Sequence, residues 1–443
     1  KMTLTGDFKV EPKGTYYEVT SPYITFKGKG LPFVVHYGHD HINVMPGPTP
    51  TQWRMASAMP SPIRVVVQEP VPCPVNAKKC TPTTKQLELA IHQKTARFQM
   101  LWDHANKIIL KADVKLENFK LERDGKVMPV TLEGLTYQIL NTEKTPGIFE
   151  GQEAFFLTGL AVDPSAEDWN TSQKLGQVSV GEIAILGLYT GFDLKKYNNF
   201  NRKMNDISDT GFDPDKGVSP EAFSALWSEI IKDGMDLIDS SKWELVARNI
   251  SVNSIGKDGE SEPFTLKEFK YFGGIDSWKS EKANIQFGQS VAGLVLPASA
   301  HDSPSFRVIE PYVPTQGSMK FEVKNLPHRK LMEQIGTMTQ NALASTSAPT
   351  CPAGTPPDKC PTANGASMQQ AQLLGMQAMM TLPQLLAQAG TIITTHVDTD
   401  APKGSVLVDG DFTARADAVY SGVGKMKVIL GGVDAFLADM QTA

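Results

Sequence analysis

The sequence lacks any apolar run able to cross a bilayer. Its longest, Ile183-Ala184-Ile185-Leu186-Gly187-Leu188-Tyr189, falls far short of the roughly 18–20 residues such a span needs. It also lacks a basic excess, since 43 Lys and Arg face 48 Asp and Glu for a net charge of −5. A nucleic-acid surface carries the opposite balance, and nothing here invites docking on anionic headgroups. Short basic runs such as Lys78-Lys79 and His328-Arg329-Lys330 read as solvated faces. No Gly-x-Ser-x-Gly elbow, phosphate-cradling glycine loop or His-Glu-x-x-His pair occurs. The expectation is a chain that is not an enzyme, carries no cofactor and binds no nucleic acid.

Cysteine is scarce, and its placement is informative. The four residues fall in two local pairs, Cys73 with Cys80 and Cys351 with Cys360. Each pair encloses a Pro-rich excursion opening on Cys-Pro and closing on Lys-Cys, which suits a disulfide across a small loop. Structural zinc sites bring thiolates in at Cys-x2–4-Cys, closer than either pair here. Two disulfides imply an oxidising compartment, so the expected location is periplasmic or extracellular. The chain starts at Lys1 rather than Met, which fits removal of a signal peptide; a trimmed chain is the alternative.

What is present is mostly strand. At 443 residues, two or three domains are expected at roughly 150 residues each. Tyr16–Thr20, Tyr23–Phe26 and Ile63–Val67 are β-branched and aromatic, separated by Gly and Pro clusters. Leu110, Ala112, Val114 and Leu116 alternate with Lys111, Asp113, Lys115 and Glu117, an apolar face backed by a charged one. Asp124-Gly125 then reads as a hairpin turn. Helices are expected from Ser219-Pro220, after Pro327, over about Met368–Ala389 and over Val433–Met440. The fold class is therefore α+β and β-dominated, with long curved antiparallel sheet and a few helices packed on one face. Four regions are expected: 1–160 as an antiparallel β domain, 161–345 as a β/α region, 346–367 as a Pro-rich disulfide insertion, and 368–443 as a helix with hairpins completing the sheet.

Three groups invite chemistry. In a strand, His39 and His41 would share one face, and with His36 they would form the start of a transition-metal site. A polar strand face near a turn is the plainer reading, and no metal is expected. Asp209 to Gly217 resembles a calcium loop but lacks the Gly and Glu spacing of one. Met376, Met379 and Met380 would give one helix an adaptable apolar surface, suited to lining a groove or to filling a core.

Gly14-Thr-Tyr-Tyr-Glu-Val-Thr20, Thr51-Gln52-Trp53-Arg54, Gly317 to Leu331, Ala389-Gly390-Thr391, Val406 to Ala414, Gly424 to Leu430 and Val433 to Leu437 carry a likeness. Together they resemble envelope proteins of alphaproteobacteria akin to the AsmA-like and YdgA-like families. The cysteine loops and the Met/Gln-rich helix stand outside that pattern. The resemblance implies a periplasmic, β-rich body with an apolar inner face, associated with lipid handling. The expected function is lipid or hydrophobe binding along a groove that includes Leu110, Ala112, Val114, Leu116 and the three methionines. The alternative is an accessory subunit held by an envelope protein partner.

Overall fold

The computed structural model describes residues 2–27, 33–71, 83–163, 175–213, 217–218, 220–255, 261–297, 300, 304–346, 381–418 and 422–442. Ten strands come first: β1 (Met2–Thr5), β2 (Lys9–Pro12), β3 (Tyr17–Thr20), β4 (Tyr23–Lys27), β5 (Phe33–Gly38), β6 (His41–Pro46), β7 (Gln52–Ala58), β8 (Ile63–Val71), β9 (Thr83–His92) and β10 (Thr95–Asp103). Longer strands follow: β11 (Ile108–Arg123), β12 (Lys126–Thr145), β13 (Ile148–Val162) and β14 (Leu175–Asp193). The helix α1 (Leu194–Gly211), the short pair β15 (Phe212–Asp213) and β16 (Gly217–Val218), and α2 (Pro220–Lys232) lead to β17 (Ser240–Ile255), β18 (Ser261–Asp276) and β19 (Ala283–Val295). Then come α3 (Pro304–Ile309), β20 (Gln316–Leu326), α4 (His328–Thr346), α5 over 381–389, β21 (Ile392–Ala401), β22 (Gly404–Ala414), β23 (Gly422–Gly431) and α6 (Val433–Thr442). Among the described residues strands make up 64% and helices 19%, so the β-dominated α+β expectation holds.

All strands but β15 and β16 join one large curved antiparallel sheet. Its order follows the chain. β1 pairs with β4 while β2 pairs with β3, so β1 and β2 form one crossing of the sheet interrupted midway. The same holds for β3 with β4, β5 with β6, β7 with β8, and β9 with β10. β11 is the first unbroken crossing, pairing with β10 along its first half and with β9 along its second. From there each strand pairs with the next through β12, β13, β14 and β17 to β23. The result is a meander of sixteen crossings. The boundary expected near residue 160 falls inside β13, and the ladder continues on both sides of it.

The interruptions line up as a seam across the sheet: Gly6–Phe8, Ser21-Pro22, His39-Asp40, Met59–Pro62 and Gln93-Lys94. In the unbroken strands the seam passes through residues in the left-handed region, Asn118 (φ 55), Gly159 (φ 63), Asn249 (φ 52) and Gly293 (φ 68). Asn tolerates this backbone because its short side chain bonds locally, and Gly because it has no Cβ. Beyond the seam the apolar set changes phase by one residue, with Leu160, Val180, Ile250, Leu266 and Leu294 standing opposite one another in turn.

The hairpin turns follow their chemistry. Asp124 (φ 49) and Gly125 (φ 79) connect β11 to β12 with both central residues left-handed, the geometry that matches strand twist. A compact core forms at the other end of the long strands, where the helices connect them. Phe149, Leu194, Met235, Ala283, Ala389, His328 and Thr391 are buried there. The backbone N–H of Leu194 donates to Gly147 at 3.0 Å, and His328 Nε2 hydrogen-bonds to the Trp278 carbonyl at 2.8 Å. Asp236 receives Lys196 at 2.9 Å and also Arg329, tying α1 to α4.

Candidate functional site

Directly opposed residues in an antiparallel sheet share a face. Following the register from Val114 gives one row across every crossing: Val10, Val19, Ile42, Ser57, Phe98, Val114, Tyr137, Phe155, Ile185, Leu245, Tyr271, Gln289, Met319, Val397, Val408 and Val428. Only Ser57 and Gln289 lack an apolar or aromatic side chain. At about 4.8 Å per strand the row is on the order of 70 Å long. The adjoining row, one residue along, runs Glu11, Glu18, Asn43, Ala56, Gln99, Asp113, Gln138, Ala154, Leu186, Glu244, Phe272, Gly288, Lys320, His396, Asp409 and Lys427. That face is largely charged or polar. The alternation seen in Leu110–Glu117 is thus a property of the whole sheet.

The apolar face is not a sealed core. Fully buried hydrophobic residues among those described are few, and most of them are alanines or lie at the helical end. On the apolar face Ile185 is 48% exposed, Trp243 40%, Val428 51% and Met426 71%. Aromatic rings form pairs along it: Trp243 and Tyr271 meet edge to face at 5.0 Å, and Phe287 and Phe321 lie 4.9 Å apart. A cup of about 360 Å³ lined by Tyr312, Thr399, Val406, Leu430 and Phe436 continues the face beneath α6. There the Tyr312 hydroxyl and Lys403 both donate to Asp439 at 2.9 Å.

The expected groove residues divide. Ala112 is buried, and Leu110, Val114 and Leu116 are half-buried in β11 on this face. Met376, Met379 and Met380 lie outside the described residues, as do Cys73, Cys80, Cys351 and Cys360.

The three histidines do not converge. The strand expected to carry His39 and His41 is broken at Gly38 (φ 96), so His39 sits in the seam and His41 opens β6. His39 Nδ1 hydrogen-bonds to the Ser21 carbonyl at 2.9 Å, and His41 Nδ1 meets the Thr20 hydroxyl at 3.2 Å. His36 lies in β5, its ring 6.3 Å from that of Tyr23. Among the described residues no group of three or more His, Cys, Asp or Glu could hold a metal ion. The centre of this region is Asp40, which accepts from Ser57 and, at 3.4 Å, from Tyr37. Burial, then Asp40, pushes the Tyr37 hydroxyl well above its ordinary range.

One polar group interrupts the apolar face, and sequence reasoning missed it. From β12 to β23, between the seam and the helical end, Glu153 is the one charged side chain on this face apart from Glu143 beside the turn at Gly147. Glu153 stands opposite Ile139 and Gly187, with Tyr137 and Tyr189 beside it. Burial, then Glu153, raises the Tyr137 hydroxyl, and the two groups are hydrogen-bonded. Burial and Glu153 push Tyr189 up to about 12, and its hydroxyl donates to Asn141. No signal for it stands in the sequence, because Ala154, Phe155, Phe156 and Leu157 are apolar in both phases of a strand.

No helix among the described residues is long and apolar enough to cross a membrane. Comparisons with protein-family models, with curated proteins and with solved structures return no match.

Proposed function

We propose that this chain is a non-catalytic binding protein that holds lipid, or another long-chain hydrophobic ligand, along the apolar sheet face. The observation that carries this is the face centred on the row from Val10 to Val428, apolar across the meander and still open to solvent at Ile185 and Val428 in the row and at Trp243 and Met426 beside it. Large contiguous apolar surface on a folded chain marks an interaction site, and each exposed Å² forgoes roughly 25 cal/mol of burial. A chain-like ligand of matching shape recovers that burial. The two local cysteine pairs and the likeness to AsmA-like and YdgA-like envelope proteins support a periplasmic or extracellular setting. Organic extraction and native mass spectrometry of the purified protein test the reading. Co-purifying lipid, or saturable uptake of a fluorescent naphthylamine probe, is expected; a face that takes up neither would end it.

One observation favours a second reading, an accessory subunit docked on an envelope protein partner. Among the described residues β23 pairs only with β22, and α6 exposes Val433, Leu437 and Met440. A free strand edge is a template for another chain. A persistent monomer in native extract counts against that alternative.

A further inference from the structure

Glycines on the apolar face are mostly overhung by a neighbour. The Tyr189 ring covers Gly151, the Trp243 indole covers Gly273, and Thr399 and Thr395 cover Gly317 and Gly410. Gly187 is different. A Cβ built there would meet nothing closer than Glu153 Cβ at 3.9 Å. Tyr189 leans onto Gly151 and Trp243 leans onto Gly273, so neither ring comes within 4 Å of a Cβ placed at Gly187 and a side chain or ligand group has room there. A glycine inside a strand often marks a place where a ligand approaches the backbone closely.

The walls of this hollow have a consistent chemistry. Glu153 and Trp243 flank Gly187 on β13 and β17, two strand spacings or about 10 Å apart. Ile185 and Tyr189 bound it along β14. On the charged face, acids have cationic partners: Glu244 takes Lys270 at 2.6 Å, Glu268 takes Arg248 at 2.9 Å, and Asp113 takes Arg97 at 3.6 Å. Glu153 is exposed and forms no ion pair among the described residues. A carboxylate with no cationic partner, beside tyrosine and tryptophan rings, attracts an organic cation through charge and through the negative faces of the rings.

We propose that the Gly187 hollow binds a quaternary ammonium group and, resting on the groove reading above, that this group is the headgroup of a bound amphiphile. The acyl chain would then run along the apolar row while the carboxylate of Glu153 fixes its register. An ammonium group suits the hollow better than a phosphate, which Glu153 repels.

The test compares lysophosphatidylcholine with lysophosphatidylglycerol of the same acyl chain, and adds tetramethylammonium as the free cation. Binding is read by tryptophan fluorescence and calorimetry on the full chain. The wild-type protein is expected to prefer lysophosphatidylcholine by about tenfold, a size in keeping with a desolvated cation–ring contact. Glu153→Gln removes the charge at an exposed position, and Gly187→Leu fills the hollow without changing charge. Both are expected to abolish the preference while chain-dependent binding persists. A preference that survives both substitutions, or equal wild-type binding of the two lysolipids, overturns the ammonium site and leaves the groove reading standing. Glu153-dependent binding of tetramethylammonium with no uptake of either lysolipid keeps the hollow and sinks the groove.

Discussion

The hydroxyl of Ser57 in β7 donates to the carboxylate of Asp40 in the neighbouring crossing, at the point where that crossing is interrupted. Ser57 is the polar exception near the start of the apolar row, and this bond explains it. Ser21 completes the link: its hydroxyl accepts the Asp40 backbone N–H at 2.8 Å, and its own N–H donates to the Asp40 carbonyl at 2.8 Å. Ser21 and Ser57 are both buried. Removing a partner from a buried polar group strands the other at a cost of about 1–3 kcal/mol. Asp40→Ala is therefore expected to lower stability by that amount in urea unfolding. Asp40→Asn, which keeps an acceptor, should lose less.

The helical end should respond to acid. Burial alone would raise the Asp236 carboxyl, but Lys196 and Arg329 outweigh it and hold the carboxyl below the ordinary carboxylate range. A carboxylate depressed in the folded state contributes stability above its unfolded pKa, near about 4. That contribution is lost as pH falls through the lower folded value. The wild-type urea midpoint is expected to fall more steeply below about pH 4 than that of Asp236→Asn. At pH 7 the variant should be less stable by about 1–2 kcal/mol, discounting the hydrogen bonds for partial exposure. Parallel acid limbs for the two proteins would contradict this assignment.

The two faces of the sheet make opposite forecasts for the same kind of substitution. Ile185→Asp and Val408→Asp place charge on the apolar row and are expected to weaken uptake of a naphthylamine probe at least about tenfold, from the lost apolar contact and the added desolvation. Thr136→Asp lies on the charged face opposite Lys115 and should leave uptake unchanged. Equal effects from all three would show that the probe does not use the apolar face.

Much of this was legible because β-structure advertises itself in period two. Leu110 to Glu117 displays both faces within eight residues, and Asp124-Gly125 marks its own turn. The length of the crossings was not legible. Ser21-Pro22 and Met59 to Pro62 read as loops between separate strands, whereas register makes them interruptions within one crossing. Asn118 and Asn249 carry no sign of their left-handed backbone, whereas Gly38 marks the bend at which β5 ends. Gln152-Glu153 looks like a solvated pair. Its assignment to the apolar face requires knowing that Glu153 stands opposite Ile139 and Gly187, which is tertiary information. The polar helix α1 offered too weak an apolar stripe to be recognised.

Because the sheet's order is the order of the chain, each crossing meets only its sequence neighbours. Nearest-neighbour assemblies of this kind gain stability as a sum of local units and interfaces between them. Pairing confined to chain neighbours lets the ladder extend from whichever hairpin forms first. Inserting or deleting a pair of crossings would then lengthen or shorten the apolar row by about 10 Å while leaving its chemistry unaltered. On the proposed binding reading the fold is a ruler: the number of hairpins, rather than any single side chain, would set the longest molecule the face could hold.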